Sequence, residues 1–417
     1  MLARWSYLRS AKLALTLNCG SSSIKYKLID MNGEHIKLSG LIENIGESSC
    51  RHKKGADSVQ TPGSSYETSM KDVIDSVKQD DVVKKSGLYC VGHRVVHGGE
   101  TFSSPVVIDA AIRAEIERLC VLAPLHNPIN LEGIRLAQKM LDASVPQVAV
   151  FDTAFHSTIP KESSLYAIPL EISEKYKIKR YGFHGISHKY VSLTAAKTLE
   201  LNPSKCNLII AHLGSGCSAT AVKQGKSVDT TMGFTPLEGL VMSTRAGSLD
   251  PGVHQYMCNV MGMSIDEVTS ILNKKSGLLG ISGLSKDMRV LIAASTGLGD
   301  FTHEQRERAT LAIDIFVDRL CQHIAKLFVS LDSRCDAIVF TGGIGENSAY
   351  IRQMVIEKLK FLGVYLDLAR NVANGQDSHS LITQDDSPLH ALVIPTDEEL
   401  QIARESVSLI DNSSQSI

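Results

Sequence analysis

One pattern occurs twice in this chain, and the repetition limits the folds open to it. LALTLNCGSSSIKYKLID, residues 13–30, is an apolar run that ends in Asn18, turns through one glycine and three serines, and leaves as an alternating run. CNLIIAHLGSGCSATAVKQGK, residues 206–226, repeats this grammar. With His212 set on Asn18, Gly214 falls on Gly20 and Ser215 on Ser21. Each copy reads as two strands around a tight turn, at 13–18 and 23–29 in the first. One such unit in each half of the chain points to two related halves. A third glycine turn follows an apolar strand in CDAIVFTGGIGENSAYIR, with a strand expected at 336–340 and a helix start near Asn347.

The rest alternates between the two regular structures. Residues 48–66 are polar and rich in Gly and Ser, and read as an exposed loop. A helix is expected over 69–85. LYCVGHRVVHGG reads as a strand running into a Gly-Gly loop. DAAIRAEIERLCVLA, 109–123, has helical spacing behind an Asp cap. PQVAVFDTAF, 146–155, is a buried strand ending in an acid. A long helix is expected over 304–330, and a final strand with an acidic helix start over 392–410. This alternation makes an α/β protein. The duplicated units imply two lobes with a cleft between them.

Composition removes several classes of function. Lys plus Arg is 43 against 45 for Asp plus Glu, so there is no basic excess to recommend nucleic acid as a partner. No apolar run reaches the ~20 residues that span a bilayer. The cysteines at 19, 50, 90, 120, 206, 217, 258, 321 and 335 form no CxxC pair. They read as thiols of a reducing compartment, with neither a zinc site nor a disulfide framework. The basic start, MLARWSYLRSAK, leaves two readings open, a weak organelle-targeting leader or an extra N-terminal tail.

A turn that holds phosphate needs backbone N–H groups and hydroxyls that can come close, hence small residues. Three such turns occur, Gly20–Ser23, Gly214–Ser218 and Gly342–Asn347. Several phosphate turns suit a nucleotide with several phosphates, and the GxxxxGK[ST] loop is absent. The chain therefore reads as an ATP-using enzyme without a P-loop. Phosphoryl transfer needs cations on the transferring group. Arg94 in GHRVVHGG and Arg245 in MSTRAGSLDPG lie in glycine-rich, lightly charged segments. Asp152 ends a buried strand, where α/β sites are built, although a helix cap would use the same acid. His184 and His212 lead the histidines near these motifs as donors to a phosphoryl oxygen. Magnesium is expected on phosphates and one or two carboxylates, with Glu398 a candidate.

TLNCGSSSIKYKL, GHRVVHGGE, APLHNP, VFDTAFHSTIP, RYGFHGISHKYV, AHLGSGCSATAV, MGFTPLEGLVMSTRAGSLDP, FTGGIGEN and PTDEELQIAR resemble, in order and spacing, the acetate kinase family. The likeness runs from about residue 13 to about 406. It implies the two-lobed actin-like ATPase (ribonuclease H-like) fold with duplicated βββαβαβα cores. The lobes would be residues 1–152 with 396–417, and 153–395. It also implies a cytoplasmic homodimer that moves phosphate reversibly between ATP and acetate, giving acetyl phosphate and ADP.

The resemblance assigns roles to matching positions. Asn18, Ser21, Ser23 and Lys25 would line the first phosphate turn, and His212, Gly214, Ser215 and Gly216 the second. Asp287, Met288 and Arg289, with Gly343, Ile344, Gly345 and Asn347, would hold the adenosine. Arg94 and Arg245 would clamp carboxylate and phosphoryl, His184 would donate to the latter, and Asp152 would position or accept from the reacting group. Asn18 and Glu398 would place Mg²⁺, with Mn²⁺ as its substitute. Val96, Leu125, Phe183 and Pro236 would form the pocket for the methyl group, and Val96 fills space that propionate would need.

The chain departs from the family pattern at Ser215 (usually Asn), Ser248 (Asp), Cys19 (Ala), Lys286 (Ser), Val290 (Asp) and in TDEE for TNEE. These changes bear on nucleotide affinity more than on chemistry. A propionate kinase, or a non-catalytic actin-like nucleotide binder, are the alternative readings.

Overall fold

A computed structural model describes residues 11–414; residues 1–10, which hold most of the basic start, lie outside the described residues. The chain divides into two compact units. The first is the described part of Met1–Ala154 together with that of Asp397–Ile417, and the second is Phe155–Thr396.

The first unit is built on β1 (Leu13–Gly20), β2 (Ser23–Asp30), β3 (His35–Glu43), β4 (Arg51–Lys54), β5 (Asp57–Gln60), β6 (Cys90–Val95), β7 (Val106–Val107) and β8 (Gln147–Phe151). They lie in the order β5-β4-β3-β2-β1-β6-β8-β7. The second unit is built on β9 (Leu208–Leu213), β10 (Cys217–Lys223), β11 (Lys226–Thr230), β12 (Ala337–Thr341) and β13 (His390–Val393), ordered β11-β10-β9-β12-β13.

The repeat seen in the sequence is a repeat of topology. In the first unit β3, β2 and β1 are antiparallel neighbours, and β6 and then β8 continue parallel to β1. In the second, β11, β10 and β9 are antiparallel, and β12 and β13 continue parallel to β9. The expected duplicated α/β core is present.

The central strands are apolar on both faces because helices cover both. Leu13, Leu15 and Leu17 of β1 pack with Met70, Val73 and Val77 of helix Tyr66–Lys78 and with Leu136 of helix Asn127–Met140. Ala14 points the other way, into a cluster with Ala403 and Val407 of helix Glu398–Ser414. Contact there is close: a Cβ on Gly92 would sit 2.5 Å from Ile402 Cγ2.

Three local expectations are corrected. Residues 48–66 are not one loop, because β4 and β5 form a hairpin that widens the sheet. Every residue of β5 is exposed, so no apolar alternation marked it. The helix expected over 69–85 breaks at Asp80, whose carboxylate accepts from Val82 N and Val83 N and starts a second helix, Asp81–Ser86. The glycine turn Gly342–Asn347 is itself a short helix, and the helix expected to start near Asn347 follows it as Ala349–Lys358 behind a Ser348 cap. Gly342 has φ +75°, and a Cβ there would lie 2.9 Å from Leu213 backbone. Only glycine fits that seat against the end of β9.

Candidate active site

Parallel neighbours β6 and β8 end side by side, and this brings Arg94 to Asp152. Arg94 Nε donates to Asp152 Oδ2 at 3.1 Å, Nη2 makes a closer bond to the same oxygen, and Nη1 donates to Asn18 Oδ1 at 3.2 Å. Asp152 is completely buried, and its Oδ1 has no hydrogen-bond partner. Burial works against the charge on Arg94, but Asp152 and then Glu398 outweigh it and hold its pKa above the ordinary value. Arg94 stays a cation.

The loop after β6 is pinned from helix Asn127–Met140. Asn130 Oδ1 accepts from Val96 N at 3.0 Å, and its Nδ2 donates to Cys19 O at 2.7 Å. Asn127 exchanges two 3.0 Å bonds with the backbone of His97. These asparagines were not among the expected site residues, although HNPIN carries both. Val96 is buried, while Leu125 is 59% exposed.

The same unit holds a cluster of charge. Lys25 Nζ lies 2.8 Å from Glu399 Oε2, and Lys27 pairs with Asp397 at 2.7 Å. Lys25, expected on the phosphate turn, is half-exposed and paired with Glu399. Glu399 Oε2 is within ion-pair range, yet no donor is aligned for a hydrogen bond to either of its oxygens. Burial pushes the Glu398 carboxyl up to about 7; Arg94 opposes the shift, and Asp152 and Glu399 add to it. Ser21 is exposed and Ser23 half-buried on the β1–β2 turn.

In the second unit a cavity of about 680 Å³ gathers Gly214, Ser215, Asp287, Met288, Arg289, Gly343, Ile344 and Asn347. Ser243, Ile292 and Tyr350 line it as well. This size suits a nucleoside. Asp287 caps helix Met288–Ser295 and takes Arg289 in a fork at 3.0 and 2.6 Å, which holds its carboxyl below the ordinary value. Gly345 stands behind the cavity, with its carbonyl on Arg352 Nη1 at 2.8 Å.

Two residues that the sequence did not single out fix this glycine turn. Glu346 Oε1 accepts from Gly342 N at 2.9 Å and from Thr396 N at 3.1 Å. Arg352 is completely buried and, among the described residues, donates to neutral oxygens, those of Gly345, Glu346, Asn371 and Asn374. Burial lowers its pKa to about 10, so it remains charged.

Beside the turn at Gly214–Ser218, His184 and His212 stack with ring centroids 4.4 Å apart. A Cβ on Gly216 would lie 3.4 Å from His184 Nε2 and 3.5 Å from Arg245 Nη1, so both groups face the turn. Arg245 Nη1 donates to Pro236 O at 3.2 Å. Phe183 is buried and Pro236 half-buried. The structure therefore gathers Asn18, Arg94, Asp152 and the Glu398 segment in the first unit. It gathers His184, His212, Arg245 and the cavity residues in the second.

A model of the acetokinase family matches residues 13–404. An acetate kinase of Treponema denticola is 46% identical over 95% of this chain and 99% of its own. One of Pseudothermotoga lettingae is 44% identical over 95% and 97%. Among solved structures, a propionate kinase of Francisella tularensis matches with TM-score 0.87 and 44% identity over 94% and 98% of the two chains. Porphyromonas gingivalis acetate kinase matches with TM-score 0.84 and 37% identity over 96% and 100%. With its duplicated actin-like ATPase core, the chain belongs to the acetokinase family.

Proposed function

We propose that this chain transfers the γ-phosphoryl of ATP to acetate, reversibly, giving acetyl phosphate and ADP. The observation that carries the activity is the family match over residues 13–404, which takes in every motif of the site. The assignment of roles to residues is our reading of the geometry. Acetate is already an anion and needs no strong base. Asp152, buried and bonded to Arg94, is a positioning residue that aims the guanidinium. Arg94 and Arg245 neutralise charge on the carboxylate and the phosphoryl, and His184 donates to a phosphoryl oxygen. The nucleoside lies in the cavity of Asp287, Arg289, Gly343, Ile344 and Asn347.

The residues present fit a hard divalent cation. Glu398, held partly protonated beside Asp152 and Glu399, is a carboxyl whose ionised form a cation would stabilise. Asn18 offers an amide oxygen close by, already accepting from Arg94. Among the described residues no group of three or more His, Cys, Asp or Glu is placed to hold a metal, so phosphates and water would complete the shell. Mg²⁺, or Mn²⁺ in its place, would there neutralise charge on the phosphates.

We place the protein in the cytoplasm as a homodimer. Support for the compartment is the nine unpaired cysteines. No helix among the described residues is long and apolar enough to cross a membrane. Support for the dimer is helix Gly252–Met261, which buries no side chain and exposes Val253, Tyr256 and Val260 on one face.

The test is ADP production with ATP and Mg²⁺ on formate, acetate, propionate and butyrate, trapping acyl phosphate with hydroxylamine. Fastest turnover on acetate with trapped acetyl phosphate supports the reading. Fastest turnover on propionate gives the second reading, which the likeness to the Francisella tularensis propionate kinase favours. No trapped product on any acid overturns both.

A further inference from the structure

Strand β10 sets Ser218 between two imidazoles. Its Oγ is 2.9 Å from His184 Nδ1 and 2.8 Å from His188 Nε2. Ser218 and His188 are both completely buried. A serine hydroxyl has a single proton, so it donates to only one of the two rings, and the other ring must donate to it.

The direction is set at the far end. Burial, reinforced by the neighbouring His156 and His212, holds His188 well below the ordinary value, so this ring is neutral and carries one proton. Its Nδ1 is buried without a hydrogen-bond partner. An orphaned buried N–H is rarer in folded proteins than an under-satisfied acceptor. The proton therefore belongs on Nε2, which donates to Ser218. Ser218 then donates to His184 Nδ1, and His184 keeps its own proton on Nε2. That nitrogen is the one facing the phosphate turn at Gly216.

We propose that Ser218 and His188 are positioning residues that hold His184 in its Nε2–H tautomer, so that a donor and not a lone pair meets the phosphoryl oxygen. A lone pair there would repel an anionic oxygen. The backbone of His184 is held as well. His156 Nε2 bonds the carbonyl of Phe183 at 2.9 Å, which only an N–H can do, and His156 Nδ1 is 2.8 Å from Ser227 Oγ. This fixes the peptide just before His184, whose φ is +57°. Left-handed backbone at a non-glycine residue is costly and marks a place where geometry matters.

The inference rests on the reading that His184 faces the transferring phosphoryl, and its test separates the two. The full chain labelled with ¹⁵N-histidine is read by NMR at neutral pH, with His184 assigned by comparison with His184→Asn. The expected spectrum shows His184 protonated at Nε2 and bare at Nδ1. In Ser218→Ala the tautomers mix and kcat falls about tenfold, with KM for ATP and acetate nearly unchanged. Ser218→Thr keeps the hydroxyl, and His188→Gln keeps a donor, so both hold the wild-type tautomer. Protonation at Nδ1 in the wild type overturns the proposal. So does an unchanged tautomer in folded Ser218→Ala; if that variant does not fold, loss of the tautomer in His188→Gln overturns it instead. An Nε2–H tautomer as described, in a protein where His184→Asn keeps full kcat, leaves the relay standing and removes His184 from the phosphoryl site.

Discussion

Lys25 Nζ stands 2.8 Å from Glu399 Oε2, pairing a half-exposed ammonium with a carboxylate that is completely out of water. Lys27, 3.8 Å from the same oxygen, is too far to replace it fully. Lys25→Met leaves Glu399 short of its cation and should cost about 1–3 kcal/mol in urea unfolding. Adding Glu399→Gln to it should recover most of that loss, and additive losses in the double variant would break the pairing argument.

On the role proposed for Arg94, Arg94→Ala removes charge where the transition state develops it. The rate should drop about 10²–10³-fold while the KM for ATP changes far less. Asp152→Asn keeps the shape but weakens the hold on Arg94, so kcat should fall by a smaller factor. Near-full activity in Asp152→Asn would take Asp152 out of the site.

Glu398 gives a pH dependence of defined sign. Its folded pKa lies near 7, above the ordinary 4.5, so the folded state binds a proton that the unfolded state has released between these values. Stability of the metal-free protein therefore falls as pH rises through this window, by at most about 1.4 kcal/mol per unit from this group. Glu398→Gln should flatten that slope. Mg²⁺ binding to the nucleotide complex should release a proton near pH 7, which calorimetry in buffers of different ionisation heat would detect.

Arg352 tests the support behind the cavity proposed to hold the nucleoside. Arg352→Met strands several buried carbonyl and amide oxygens and should cost about 3 kcal/mol or more. In whatever folds, KM for ATP should rise while KM for acetate holds. A rise in both would point to general loosening.

Val96→Ala should open the pocket by the space of two methyl groups. The ratio of kcat/KM for propionate over acetate should rise, within the roughly 10–200-fold that one methylene commands. An unchanged ratio would move the selectivity elsewhere.

Much of this was legible in the sequence because it depends on neighbours along the chain. The apolar runs of β1 and β9, their small-residue turns, the Asp109 cap and the acid after β8 are all local signals. What was hidden depends on partners far away. Cys19 in place of a smaller residue makes sense only with Gly133, where a Cβ would come within 2.5 Å of the sulfur. The ion pair of Lys25 shows only when Glu399 returns beside it from the last helix. Ser218 looks like a turn residue until two histidines of one helix segment close on it. The β4–β5 hairpin failed for a different reason, since β5 is exposed throughout and the one buried residue of β4 is the polar His52, so no apolar period is written there.

The second unit is one uninterrupted stretch, Phe155–Thr396, whereas the first borrows helix Glu398–Ser414 from the opposite end of the chain. Synthesis runs in one direction. Every strand of the first sheet leaves the ribosome before the helix that covers Ala14, Ile29 and Cys90 exists. That apolar face must therefore wait through translation of the whole second unit, and this wait is the interval in which a nascent chain of this kind is most exposed to holdase chaperones and to aggregation.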